Sequence, residues 1–101
     1  MKTAQDSLQK NAQKAAAFLK LLAHPERLIT LCQLVSGEKS VSELLASTKL
    51  SPSAFSQHLA KLREEGLVVA RKEAQQAYYS LCGKEVEAIL NVMHEYFCEE
   101  K

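Results

Sequence analysis

The chain has 101 residues, of which 47% are hydrophobic and 25% are charged, and these proportions exclude a disordered or fibrous protein. The length allows one domain over residues 1–101, and a domain this small buries only a modest share of its surface, so a second subunit would add stability. No apolar run approaches the roughly 20 residues that cross a bilayer, and residues 1–13 lack the apolar stretch of a secretory signal. We therefore expect a cytoplasmic protein with no membrane segment.

The net charge of +1 conceals an uneven distribution of charge along the chain. Five basic and two acidic residues lie between positions 49 and 72, whereas two basic and five acidic residues lie between positions 84 and 101. Because phosphate groups attract basic surface, this asymmetry is expected when one face of a protein meets a nucleic acid.

Hydrophobic periodicity predicts two helices in the first third of the chain. The first covers residues 7–22, an alanine-rich segment with an apolar stripe. His24 and Pro25 end it and begin the second, because proline suits the first helical position and disfavours helix in the residue before it. The second helix runs to about Ser36, and Gly37 supplies its stop. Its predicted buried stripe is Leu28, Leu31, Cys32 and Val35.

Two shorter helices follow, joined by a tight connection. Ser40 and Glu43 have the spacing of a capping box, which predicts a short helix 3. Ser51 as N-cap opens helix 4, which ends near Glu65. Two short helices about four residues apart have the spacing of a helix-turn-helix. The positions of helix 4 predicted to face the core are Phe55, Leu59 and Leu62.

The last third of the chain predicts a hairpin and a final helix. Residues 67–71 and 76–81 are β-branched or aromatic runs that flank a polar stretch at residues 72–75. The final helix covers about residues 84–97 and leads directly into Cys98. The order of elements predicts a mainly α fold with a small β-hairpin, the winged helix-turn-helix, with the hairpin as the wing between helices 4 and 5.

Helix 4 and the wing carry side chains suited to DNA. A recognition helix in the major groove needs short polar side chains near its N-terminus. Gln57 can pair with adenine and Ser56 with several base edges, while the wing would meet the phosphate backbone. The alternative is that the serines only cap the helix and the other residues form a solvated face. The predicted DNA-contacting residues are Ser51, Ser53, Ala54, Ser56, Gln57, His58, Lys61, Arg71 and Lys72.

Three stretches of the chain together resemble the ArsR/SmtB family of winged-helix repressors. They are LAHPERL at residues 22–28, SAFSQHL at residues 53–59 and EGLV at residues 65–68. The resemblance covers nearly the whole chain. It implies a DNA-binding repressor and not an enzyme, a homodimer through helix 1 and helix 5, and double-stranded DNA with an inverted-repeat operator as the partner. The alanine-rich stripe of helix 1 independently suits such an interface.

The metal sites that this resemblance implies are not matched by the sequence. The family's site in helix 3 uses closely spaced cysteines, where this chain has ELLAS at residues 43–47. The family's site in the last helix uses Asp and His pairs, where this chain has Glu85, Glu87, His94 and Glu95. Because a transition-metal site needs three or four convergent ligands, we expect no metal and no cofactor. A metal-responsive repressor is the less favoured alternative.

The three cysteines suggest a different signal. Thiols in the cytosol are kept reduced, so a disulfide there is usually transient or sensory. Cys32 alone would be a small core residue, but Cys98 follows the last helix beside two glutamates and has no packing reason to be there. The two positions resemble those of the two-cysteine HlyU/SqrR/BigR-like branch of the family. The resemblance implies that reactive sulfur species, such as persulfides, bridge Cys32 and Cys98 and weaken DNA binding, with Cys82 structural.

Three other interpretations remain. Peroxide or disulfide stress could produce a simple disulfide at the same pair. A thiol enzyme is disfavoured, because a catalytic cysteine needs a nearby cation or helix N-terminus, whereas Cys98 lies at the negative end of a helix among carboxylates. No phosphate loop, acid-base pair or cofactor motif is present either. The last interpretation is a winged helix that serves only as a protein-interaction module.

Overall fold

The computed structural model describes the backbone of residues 4–98 and the side chains of residues 7–97. The fold is mainly helical with a small antiparallel sheet, as the sequence predicts. Its helices are α1 (Ala4–Leu22), α2 (Pro25–Gln33), α3 (Val41–Leu45), α4 (Pro52–Glu64) and α5 (Lys84–Met93). Its strands are β1 (Lys39–Ser40), β2 (Val68–Glu73) and β3 (Gln76–Leu81). Among residues 4–98, no helix has the length and apolar character that a membrane span requires.

The N-terminal caps of the helix-turn-helix are confirmed. The Glu43 amide donates to Ser40 Oγ at 3.1 Å, and the Ser40 amide donates to Glu43 Oε1 at 2.9 Å, which completes the capping box. Ser51 Oγ accepts from the Ala54 amide at 3.2 Å at the start of α4. Each such cap is worth about 1 kcal/mol, so local chemistry alone fixes where both helices begin.

Several predicted boundaries require correction. Helix 1 begins at Ala4 and not at Ser7. Helix 2 ends at Gln33 and continues as a 3₁₀ turn, Leu34–Ser36, before Gly37 stops it with a φ of 132° that favours glycine. Helix 5 ends at Met93 and not at Phe97; the chain continues as one π-helical turn, His94–Cys98.

The sheet has one strand that the sequence did not predict. β1 pairs with β3 through Lys39 and Ser40, and the strand order is β1-β3-β2. β2 begins at Val68 and extends to Glu73, so the hairpin turn shrinks to Ala74 and Gln75. The pairing with β3 lengthens β2, because the polar residues at positions 72 and 73 still form the ladder.

The core lies between α2, the helix-turn-helix, the base of the sheet and α5. Phe55, Leu59 and Leu62 are buried on α4, as predicted. Leu31 and Cys32 are buried on α2, whereas Leu28 and Val35 are only half-buried. Apolar contacts therefore hold one face of the recognition helix against the core, and its other faces point outward.

Candidate DNA-binding surface and thiol pair

One face of α4 points to solvent with polar side chains. Ser53, Ser56, Gln57 and Lys61 are all exposed, and their spacing places them along one stripe of the helix. Phe55 and Leu59 on the opposite stripe are buried. The exposed stripe has the hydroxyl, amide and ammonium groups that read base edges and bind phosphate.

Two other predicted DNA contacts, Ser51 and Ala54, lie at the start of α4, where they contribute to the helix itself. The Ser51 hydroxyl caps the helix by accepting from the Ala54 amide, although the residue is exposed. Ala54 is half-buried and offers only a methyl group. The N-cap role predicted for Ser51 is therefore confirmed.

His58 differs from the other predicted contacts because its ring turns inward. The ring stacks on Phe55 with the centroids 5.6 Å apart, and Nε2 lies 3.1 Å from Thr30 Oγ1 of α2. Thr30 Oγ1 also lies 3.1 Å from the Glu26 carbonyl oxygen, to which it can donate. Burial, aided by the Arg27 charge, lowers the pKa of His58 and favours the neutral ring.

α2 has two further polar contacts with the helix-turn-helix. Thr48 Oγ1, in the connection before α4, donates to Glu26 Oε1 at 3.1 Å. Arg27 Nη1 lies 2.6 Å from Glu65 Oε1 at the end of α4 in a mostly buried ion pair. α2 therefore contacts the helix-turn-helix at three points, which lie before, within and after the recognition helix α4. Sequence patterns did not single out Glu26, Arg27 and Thr30, although their spacing of one and four positions along helix 2 marks a polar face.

The two predicted wing residues have different surroundings. Arg71 is bonded to two carboxylates: Nε and Nη2 donate to Glu38 at 2.8 and 2.7 Å, and Nη1 donates to Glu73 at 2.6 Å. Lys72 is exposed and has no ion pair within residues 7–97. In this structure Lys72 is accessible to phosphate, whereas the Arg71 guanidinium is already engaged.

Cys32 lies beside an open groove next to the C-terminal π-helical turn. The turn packs against α2, and the groove between them has a volume of about 370 Å³. It is lined by Ile29, Cys32, Gln33, His94 and Phe97. The backbone of Cys98 belongs to this turn, while its side chain lies outside the described residues. The structure thus brings the two predicted sensing positions to neighbouring elements, with Cys32 at the wall of the groove.

The third cysteine lies apart from this groove. Cys82 is half-buried at the end of β3, where its amide donates to the Leu67 carbonyl at 3.0 Å and closes the base of the hairpin. Within the described part of the chain, no group of three or more His, Cys, Asp or Glu residues could hold a metal ion.

Comparison with known proteins places this arrangement in a family. Residues 24–69 match the family described as bacterial regulatory protein, arsR family. The chain is 47% identical over 92 residues to the transcriptional activator HlyU of Vibrio cholerae, covering 91% of this chain and 85% of HlyU. It is 39% identical over 92 residues to the biofilm growth-associated repressor of Agrobacterium fabrum, covering 91% of this chain and 79% of that protein.

A solved structure supports the same assignment. Reduced HlyU from Vibrio cholerae superposes with a TM-score of 0.84 at 46% identity, over 92% of this chain and 98% of that chain. Fold and sequence therefore agree along nearly the whole length. The chain belongs to the ArsR family of bacterial DNA-binding transcriptional regulators, and it is not an enzyme.

Proposed function

We propose that this regulator is a cytoplasmic repressor that binds its operator when Cys32 and Cys98 are reduced and releases it when reactive sulfur species bridge them. The observation that supports the proposal is the packing of the turn that contains Cys98 against α2, beside the groove at Cys32. The similar HlyU structure is described as a reduced form, which fits a protein family with a thiol signal.

The groove suits a small sulfur donor. An organic persulfide delivers its terminal sulfur to one thiolate, so that a cysteine persulfide forms and an organic thiol leaves. The thiolate of the second cysteine then attacks Sγ of the first, which forms the disulfide and releases the outer sulfur as hydrogen sulfide. Each additional sulfur atom in the bridge consumes one more persulfide and releases one more thiol. A direct disulfide needs a Cα separation below about 7 Å, and inserted sulfur atoms extend that reach.

The bridge would act on DNA binding through α2 and α5. It joins the π-helical turn that extends α5 to α2, and α2 bonds to α4 through Thr30 and His58. The relative placement of α2, α4 and α5 would therefore differ between the reduced and bridged states. A coupling of this kind amounts to about 1–3 kcal/mol, or about 5- to 150-fold in DNA affinity.

The proposal includes a homodimer through α1 and α5. An apolar groove of about 270 Å³ runs between these helices and the start of α2. It is lined by Leu19, Leu22, Ala23, Leu28, Ile89 and Met93. Burial of this surface against a second copy would place two recognition helices on one side of the dimer. Their spacing would match successive major grooves of an inverted-repeat operator, about 34–36 Å apart.

Single cysteine variants test the proposal. Operator DNA is first selected from random duplexes with the reduced protein, and its affinity is then measured before and after treatment with an organic persulfide. Wild type and Cys82→Ser should lose about 5- to 150-fold in affinity, whereas Cys32→Ser and Cys98→Ser should keep theirs. If both single variants still release DNA on treatment, the pair is not the switch. If reduced wild type selects no DNA, the repressor assignment itself is wrong.

Mass spectrometry of the treated protein separates persulfide from peroxide as the inducer. A peroxide removes two hydrogens as the disulfide forms and leaves the sulfur count unchanged. A persulfide in excess joins the fragments containing Cys32 and Cys98 through a bridge with inserted sulfur, and each inserted sulfur atom adds to their mass. The peroxide alternative would be favoured if peroxide releases DNA and leaves a simple disulfide, whereas persulfide does not change DNA binding.

A further inference from the structure

The wing arginine is surrounded by negative charge. Arg71 uses three of its five N–H donors on Glu38 and Glu73, at distances of 2.6 to 2.8 Å. Its guanidinium carbon also lies 4.7 Å from the centroid of the Tyr78 ring. Two carboxylates around one guanidinium give this group a net charge of −1, on the part of the fold where a positive wing is expected.

The arrangement follows from the register of the sheet. Arg71 on β2 is paired with Tyr78 on β3, and Tyr78 is paired on its other side with Ser40 of β1. Glu38 lies just before β1, so its carboxylate reaches Arg71 across the central strand. Glu73 is two residues along β2 from Arg71, which puts both side chains on the same face. Glu38 reaches the guanidinium only because β1 joins the sheet.

A DNA phosphate and a carboxylate make the same kind of bond to arginine. Both offer two oxygen atoms to the planar fork of N–H donors. Arg71 is half exposed, so a phosphate can approach it, but only one acceptor can occupy the Nε and Nη2 edge that Glu38 now holds. A bidentate phosphate contact on the Nε and Nη2 edge of this arginine therefore requires an exchange of acceptors.

We propose that Glu38, assisted by Glu73, competes with the DNA backbone for Arg71 and so limits the contribution of the wing to DNA affinity. Glu38 is then an affinity-setting residue although it contacts no DNA. The inference depends on DNA binding through the wing and not on the cysteine chemistry, so the fully reduced protein tests it.

The test measures binding of reduced protein to a fluorescent random-sequence duplex long enough for two half-sites, about 30 base pairs. Glu38→Gln should bind about two- to fivefold tighter than wild type, the fold-change that corresponds to loss of one exposed ion pair. The salt dependence should become steeper by up to about 0.9 in the log-log slope. The reason is that no displaced Glu38 carboxylate takes up a cation when Arg71 binds phosphate.

Two controls separate competition from a general charge effect. Glu87→Gln removes one negative charge from exposed surface of α5 and should bind within twofold of wild type, as expected of an exposed charge away from the wing. In an Arg71→Gln background, the gain from Glu38→Gln should disappear. Thermal melting of each variant checks that the wing variants are folded.

Three results would overturn the proposal. Unchanged affinity of folded Glu38→Gln would show that the carboxylate does not compete. Weaker binding would show that the ion pair holds the wing in its DNA-binding shape. A gain that persists in the Arg71→Gln background would show that Glu38 repels DNA directly, without Arg71.

Discussion

Single residues of α4 face either solvent, where DNA is proposed to bind, or the protein interior. Gln57 is exposed on the outward stripe, whereas His58, the next residue, is bonded to Thr30 beneath the helix. On the wing, Lys72 is exposed beside the engaged Arg71. Neighbouring residues of similar polarity therefore have different expected effects on DNA binding.

Gln57 and Lys72 should differ in the kind of affinity that they contribute. Gln57→Ala should cost about 1–3 kcal/mol on the selected operator and little on random DNA, because an amide reads a base edge. Lys72→Gln should weaken both DNAs alike and reduce the salt slope by about one. Fluorescence anisotropy on both duplexes over a salt series measures the two effects. Equal losses on both duplexes for Gln57→Ala would exclude base reading by this residue.

Residue roles were predictable where the partner lies nearby in sequence. The capping box at Ser40 and the cap at Ser51 follow from residues three positions away, and both are confirmed. The surroundings of His58 and Arg71 depend on Thr30 and Glu38, which are 28 and 33 positions away. No pattern along the chain identifies such partners, so the sequence assigned both residues to DNA alone.

At the scale of elements, α2 connects the thiol groove to the recognition helix. Cys32 lies on its buried side near the π-helical turn, and Thr30, two residues earlier, bonds to His58 of α4. Glu26 and Arg27 of the same helix contact residues just before and just after α4. A displacement of α2 would therefore reach α4 through bonds at several points.

Thr30→Val should weaken the coupling between the cysteine bridge and DNA. The variant keeps the shape of the side chain but removes the hydroxyl that bonds to His58 Nε2, which costs about 1–3 kcal/mol of stability. The ratio of DNA affinities, reduced over persulfide-treated, should fall by an amount equivalent to about 0.5–2 kcal/mol. Thr30→Ser, which keeps the hydroxyl, is the matched control and should retain the wild-type ratio. A wild-type ratio in Thr30→Val would show that this bond carries no coupling.

Elements that are long or have local sequence signals could be predicted, and those with neither could not. The five helices were predicted because their apolar stripes and caps are local. β1 has two residues and exists only through its pairing with β3, and a pattern of two residues has no periodicity. The change from α-helix to π-helical turn at His94 likewise has no local signal in the sequence.

The whole molecule is elongated, with extents of 53 × 33 × 22 Å. α1 contributes to this shape and leaves apolar side chains uncovered: Leu8 and Leu19 are 68% and 52% exposed. A single domain of this size has a small core, so exposure of large apolar side chains to water is unfavourable for it. The shape and the exposed residues are consistent with the proposed contact between two copies along α1 and α5.

Leu19→Glu should disrupt that contact. A charge buried at an apolar interface should raise the dimer dissociation constant about tenfold or more. Val69→Glu is the matched control, because Val69 is similarly exposed at 47% but lies on β2. Sedimentation velocity over a dilution series should show wild type and Val69→Glu as dimers and Leu19→Glu shifted towards monomer. A monomeric wild type, or a shift equal in both variants, would contradict this interface.

The most direct test of the whole account follows one protein preparation through a redox cycle. Operator affinity is measured on reduced protein, after treatment with an organic persulfide, and again after reduction with dithiothreitol, with the bridge between Cys32 and Cys98 quantified by mass spectrometry at each step. If the bridge controls DNA binding, operator affinity falls about 5- to 150-fold as the bridge forms and recovers as it is reduced. Full bridging without any change in operator affinity would contradict that control.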